Sequence, residues 1–285
     1  MSIIPYSRQS VSSEDIEAVQ GVLTSDFLTQ GPKIEEFEQG LVSFFEAKHA
    51  ICCSSGTAAL HLTYAALGAN DSSIAIVPAI TFAATANAFR YLGCKVIFCD
   101  VTPETGLICT IHLESILSNL PRLSVGQSGF IVPVSLAGST APLRRCLELA
   151  NQYKFNLIED ASHAFGASKH ETDGKMIFRS GDCNIVNAAC LSFHPVKHLC
   201  CGEGGAVLTN SDNLARKIRQ LRSHGMEKDE KKYPETPWFY EQMDLGWNYR
   251  MTDIQAALGI SQLSRIRELL ETRKRLAKRY QSKLK

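Results

Sequence analysis

The chain has 285 residues, of which 45% are hydrophobic and 21% charged, and 30 basic against 29 acidic side chains leave a formal charge of +1. This composition excludes a disordered chain and gives no electrostatic reason to expect nucleic acid or an anionic membrane as partner. The ten cysteines show neither paired CxxC units nor zinc-type Cys and His spacing, and adjacent pairs at Cys52-Cys53 and Cys200-Cys201 suit reduced thiols in a cytoplasmic protein without a metal.

In chain order, Ser12-Ser13-Glu14-Asp15 opens a capped amphipathic helix with Ile16, Val19 and Leu23 on its apolar face. A second helix begins at Pro32, and Ile34, Phe37, Leu41, Phe44 and Phe45 recur along one side of it as core residues do. Short β-like runs then alternate with helical ones: Ile51 to Ser54, a helix from Thr57, Ile74 to Val77, a helix over Ala83 to Tyr91, and Lys95 to Cys99. The alternation continues through Ile111 to Leu120, Phe130 to Val134, Leu143 to Gln152 and Asn156 to Glu159. Cys183 to Phe193 and Gly205 to Thr209 read as further strands, and Ser211 to Arg222 as a helix. A polar excursion separates His224 from Gln242, after which Thr252-Asp253-Ile254-Gln255 opens a helix through Leu263 and a basic helical stretch runs to Lys285. The pattern predicts an α/β fold: a mostly parallel central sheet flanked by helices, with ligands beyond the carboxyl ends of its strands.

Three chemically distinct groups fall at such ends. Ser55-Gly56-Thr57 follows a strand and opens a helix, where free N–H groups and the helix dipole favour a phosphate. Asp160 closes the run that starts at Phe155. Lys197 lies between the last two strands in Ser192-Phe193-His194-Pro195-Val196-Lys197, ahead of Gly202-Glu203-Gly204-Gly205. An amine that can form a Schiff base, an acid that keeps a ring nitrogen protonated and a phosphate cradle are the requirements of pyridoxal phosphate. The lysine serves only if burial or a nearby cation lowers its pKa. Singly, each residue has an ordinary reading: a solvated lysine, an aspartate at a turn, a serine N-cap. Their joint placement is what predicts the cofactor.

Further motifs stand in order along the chain: Leu28-Thr29-Gln30-Gly31-Pro32, Thr81-Phe82-Ala83-Ala84-Thr85, Glu159 to Gly166, and Gly246 to Asp253. With them the sequence resembles the DegT/DnrJ/EryC1/StrS sugar aminotransferases, which are fold-type I pyridoxal phosphate enzymes. The resemblance implies that Lys197 is the catalytic amine, Asp160 the partner of the pyridinium nitrogen, Phe82 the aromatic stacked on the ring and His163 the neighbour of its phenolic side. It implies phosphate ligands at Gly56, Thr57 and Ser192, and in Asn248 a residue that reaches the phosphate of the neighbouring subunit in a homodimer. Tyr6, Thr29 and Gln30 match segments near the nucleotide sugar.

Within that family the residues around Lys197 and the opening Pro5-Tyr6-Ser7-Arg8-Gln9 look most like the pseudaminic-acid branch. Its members are similar to an enzyme that moves an amino group from glutamate to a UDP-linked 4-keto-6-deoxy sugar. Another such hexose on UDP, GDP or dTDP fits the residues equally. The resemblance also implies a large cofactor domain over residues 1–245, then an interface turn and helix over 246–285 leading to a small C-terminal domain that is truncated here. The alternatives are a shortened homologue impaired in turnover, or a cofactor-binding regulator whose basic run from Arg265 to Lys283 contacts nucleic acid. A lysine at position 197, where the family's dehydratases carry histidine, favours amino transfer.

Overall fold

Runs of β-branched and aliphatic residues, punctuated by capped helices, build a seven-stranded sheet between two helical layers. The computed structural model describes residues 7–170, 176–227, 235, 236 and 238–284. Tyr6 and much of the excursion between His224 and Gln242 lie outside them. The elements are α1 (Ser13–Leu23), α2 (Pro32–Phe45), β1 (His49–Cys53), α3 (Gly56–Ala66), β2 (Ile74–Pro78), α4 (Ala83–Tyr91) and β3 (Lys95–Cys99). Next come α5 (Thr110–Asn119), β4 (Gly129–Ile131), α6 (Leu143–Tyr153), β5 (Asn156–Asp160), β6 (Ser168–His170), β7 (Met176–Arg179) and β8 (Ala188–Ser192). The chain continues through β9 (Gly205–Thr209), α7 (Asp212–Arg222), α8 (Asp253–Ser264) and α9 (Ile266–Lys283).

The strand order is β1-β9-β8-β5-β4-β2-β3. Pairing is parallel from β8 through β5, β4 and β2 to β3, whereas β9 runs antiparallel to both of its neighbours. Only β9 is therefore reversed. Its first residue, Gly205, pairs with Cys53 on one side and Ser192 on the other, so it lies at the edge where β1 and β8 end. The loop from Phe193 to Gly204 leaves and returns at that same edge, with Lys197 on it.

Strands in the middle of such a sheet are covered on both faces, and β2 and β9 are buried at every position. One core holds Phe37, Leu41 and Phe45 of α2 with residues of α5, α6 and α8, and the other holds Leu60, Leu62 and Tyr64 of α3 with residues of α4 and α7. Met251, Ala256 and Ile266 belong to the first, so α8 is part of the same packed unit as α2. The ten cysteines are free thiols, and most are buried as small core residues.

Two expectations need correction. Helix α1 has the expected capping box at Ser12, but Ile16 and Leu23 are 53% and 57% exposed, while Asp15 and Val22 are buried. A charged residue faces inward because α8 and the start of α9 supply its partners. The strand expected from Cys183 begins only at Ala188, because the Asp182 carboxylate accepts the Asn184 N–H at 3.0 Å and folds 182–187 into turns. The β6–β7 hairpin, antiparallel and outside the main sheet, was not anticipated.

Asp15 accepts from Ser261 Oγ, Gln262 Nε2 and an Arg265 guanidinium nitrogen, each at 2.6 Å, and from the Ser12 N–H at 2.9 Å. Burial pushes its carboxyl up, but the hydrogen bonds from Ser261, Ser12, Arg265 and Gln262 outweigh that and hold it below the ordinary carboxylate value. A depressed folded-state pKa means that its stabilisation is full above the unfolded value and is lost as pH falls through the folded one. Asp15→Ala is expected to lower unfolding free energy by about 2–4 kcal/mol at neutral pH, and by progressively less in acid. Urea denaturation across an acid series checks both.

Candidate active site

Helix α3 starts at the carboxyl end of β1. Ser55 caps it, accepting the Ala58 N–H on its hydroxyl at 3.1 Å, and the Ala59 N–H bonds the Ser55 carbonyl at 3.0 Å. The N–H groups of Gly56 and Thr57 precede the first intrahelical bond and point out of the helix start, as orphan donors do. A Cβ at Gly56 would lie 2.8 Å from Ser192 Cβ, and one at Gly205 would lie 2.4 Å from the Ser55 carbonyl oxygen. Glycine at both positions therefore lets the helix start, the end of β8 and the start of β9 close on one another.

Asp160 ends β5 with its side chain almost fully buried. One carboxylate oxygen accepts the Thr85 hydroxyl at 2.7 Å and the other the Ser162 N–H at 3.2 Å. Its neighbour Glu159 points to the other side of the strand, where it accepts from Ser135 Oγ at 2.5 Å, Ser180 Oγ at 2.6 Å and the Gly181 N–H at 2.8 Å. Burial drives the Glu159 carboxyl up despite these donors. Period-two alternation thus assigns Glu159 to scaffolding and Asp160 to the site.

Lys197 follows a tight turn in which its N–H bonds the His194 carbonyl at 2.8 Å. Arg273 of α9 donates to the Lys197 carbonyl at 2.6 Å and to that of Val196 at 3.3 Å, tying the lysine loop to the C-terminal helix. Burial pulls the Lys197 amine down from its ordinary pKa, with the Asp160 charge opposing. His163, half-buried, is also lowered, by burial first and then by Lys197, so its imidazole is neutral near pH 7.

A cavity of about 580 Å³ joins these groups, lined by Ser55, Gly56, Thr57, Phe82, Asp160, His163, Ser192 and Lys197 among others. Phe82, at the N-terminus of α4, is 70% exposed and so is not a core aromatic. Paired free N–H groups at a helix start, a buried carboxylate, an uncovered aromatic face and a partly desolvated amine fit the phosphate, ring nitrogen, ring face and aldehyde of pyridoxal phosphate. Cys200 and Cys201 do not line the cavity, and burial raises both thiols, so neither is poised to attack an aldehyde.

The remaining expected residues gather elsewhere. Thr29 bridges to Thr252, Asn248 bridges to Ser223, and Asp253 accepts the N–H groups of Gly31 and Lys33 at 2.8 and 3.0 Å. The Leu28 to Pro32 and Gly246 to Asp253 motifs therefore meet. Gln30, in the left-handed region at φ 56°, lines a second cavity of about 500 Å³ with Arg219, Arg222 and Arg250. None of Thr29, Gln30 and Asn248 lines the Lys197 cavity. Sequence reasoning missed the roles of Thr85, whose partner is 75 positions away, and of Arg273, read only as one member of a basic run. Arg265 of that run pairs with Asp15 and Lys274 with Glu271, so it is not one uncommitted basic face.

This fold with this cavity is that of a pyridoxal phosphate-dependent aminotransferase. The chain matches the DegT/DnrJ/EryC1/StrS aminotransferase family over residues 9–285 and belongs to it. It is 38% identical over 278 residues to the UDP-4-amino-4,6-dideoxy-N-acetyl-beta-L-altrosamine transaminase of Campylobacter jejuni subsp. jejuni serotype O:23/36 (strain 81-176), covering 98% of this chain and 69% of that one. Among solved structures it is similar to Helicobacter pylori PseC, an aminotransferase involved in the biosynthesis of pseudoaminic acid, with TM-score 0.83, 32% identity and coverage of 97% and 69%. Bacillus subtilis NtdA with bound PMP gives TM-score 0.73 and 28% identity, with coverage of 90% and 54%. Among the described residues no helix is long and apolar enough to cross a membrane.

Proposed function

We propose that this chain transfers an amino group from L-glutamate to the keto carbon of a UDP-linked, N-acetylated 4-keto-6-deoxy sugar, for nucleotide-sugar and surface-glycan biosynthesis. The observation that carries the reading is the single cavity in which Lys197, Asp160 and the α3 N-terminus converge. The 38% identity to an altrosamine transaminase supports the sugar class.

When bound, pyridoxal phosphate supplies an aldehyde that accepts the amino group and a ring that withdraws electrons from the substrate carbon. The Gly56 and Thr57 N–H groups and Ser192 would hold its phosphate. Asp160 keeps a proton at the ring nitrogen, because a buried carboxylate favours the charged form of a cation beside it. Phe82 would cover the ring face and exclude water, and neutral His163 would offer a ring N–H to the phenolic side. Lys197, its pKa lowered by burial, takes a proton from the donor carbon and returns one on the other side of the exchange.

Asn248 serves the phosphate of a second copy in a cytoplasmic homodimer, and Thr29 and Gln30, with Tyr6, serve the nucleotide sugar. Their separation from the Lys197 cavity supports this assignment.

The test is the visible spectrum of the cofactor-loaded protein, first with glutamate, then with a UDP-linked 4-keto-6-deoxy sugar. The expected result is a band that glutamate bleaches and the keto sugar restores, with the amino sugar found by mass spectrometry. A band that glutamate leaves unchanged would make this a cofactor-binding protein without turnover.

A further inference from the structure

Asp160 has a second-rank partner whose hydrogen bonding breaks the local habit of its helix. A buried helical threonine ordinarily returns its hydroxyl to a carbonyl one turn back, as Thr63 does with the Ala59 oxygen at 2.8 Å. Thr85, completely buried in the first turn of α4, does not. Its Oγ1 lies 2.7 Å from Asp160 Oδ2 and 2.7 Å from Thr81 Oγ1.

The proton inventory fixes the direction of this chain. An ionised carboxylate only accepts, so the one proton of Thr85 goes to Asp160, and Thr81 must donate to Thr85. The relay runs Thr81 to Thr85 to Asp160. Phe82 sits between the two threonines, and the Thr85 N–H bonds the Phe82 carbonyl at 3.1 Å, so a single turn sets both the cavity's aromatic and the orientation of its carboxylate. On the opposite oxygen, among the described residues, only the Ser162 N–H bonds the group.

The charged and titratable groups around Asp160 are Lys197, His163, Glu159, Tyr64 and Cys190. None of them makes a hydrogen bond to its carboxylate among the described residues. Thr85 is therefore the side chain that decides which way the carboxylate plane faces.

We infer that Thr85, backed by Thr81, is a positioning residue that aims the Asp160 carboxylate at the cofactor ring nitrogen. The inference rests on the cofactor reading proposed above. The hydroxyl occupies one lone-pair site of Oδ2, and Asp160 lines the cavity beside it.

The experiment titrates pyridoxal phosphate into wild type, Thr85→Val, Thr85→Ser and Thr81→Val, following the visible band. Thr85→Val keeps the volume but removes the donor, and is expected to weaken cofactor binding about tenfold or more. Thr85→Ser should recover most of that loss, and Thr81→Val should show a smaller loss in the same direction. Wild-type affinity in Thr85→Val, or equal weakening in Thr85→Ser, would overturn the inference. If Thr85→Val does not fold, Thr81→Val decides: a loss supports the relay and wild-type affinity overturns it. A wild type with no Lys197-dependent band would sink the cofactor reading as well, whereas a wild-type band with an unmoved Thr85→Val sinks this inference alone.

Discussion

Lys197→Ala is expected to lower transamination by roughly four orders of magnitude and to remove the visible band of the cofactor-loaded protein while leaving the far-UV circular dichroism unchanged. The size of the effect follows from the two duties the proposed function gives to one amine, anchoring the cofactor's aldehyde and carrying the proton. No other described lysine lines the cavity. The fold is spared because the Lys197 backbone, not its side chain, makes the structural contacts, through its own N–H to His194 and its carbonyl to Arg273. Burial has already lowered the amine's pKa, so in wild type the band forms at pH values below the free-lysine value of about 10.4. A mutant retaining more than a few per cent of activity would show that another base moves the proton.

Asp160→Asn is expected to cut the rate of the glutamate half-reaction by about a hundred- to a thousandfold, with cofactor still bound. The amide keeps the size of the carboxylate and one acceptor oxygen, so Thr85 or Ser162 retains a partner and the buried site stays close to satisfied. What disappears is the negative charge that, in the proposed function, holds a proton on the ring nitrogen. Asp160→Ala confounds this comparison, since it also strands two buried donors at a cost of about 1–3 kcal/mol each. Stopped-flow absorbance of the half-reaction, set beside cofactor affinity, separates the charge from the packing.

The sheet and most helices were legible because their signals are local. Capping boxes at Ser12 and Thr252 and the Pro32 helix start lie where composition places them, since a cap is satisfied within three residues of itself. The meeting of Asp160, Lys197 and the Ser55 turn at one cavity was legible for a related reason: each sits at or just past a strand end, and the parallel pattern says that such ends converge. What stayed hidden depends on partners remote in sequence. Asp15 reads in sequence only as part of a helix cap, and its partners Arg265 and Gln262 reach it across some 250 positions. Thr85 and Arg273 are ordinary residue types whose meaning lies wholly in the atom they touch. The reversed strand β9 was hidden too, because a run of five buried residues, Gly205 to Thr209, reads alike in either direction.

That reversed strand has a kinetic corollary. The α3 start hangs on β1 and the lysine loop on β8 and β9, and β1 joins the sheet only by pairing positions 49 to 53 with positions 205 to 209. This is the least local strand pairing in the sheet, and loop-closure entropy makes such pairings slow to form. Until it closes, the phosphate cradle and the lysine belong to separate stretches of a partly folded chain. The cofactor site is therefore complete only once the sheet has closed, and a bound ligand stabilises the finished molecule by mass action.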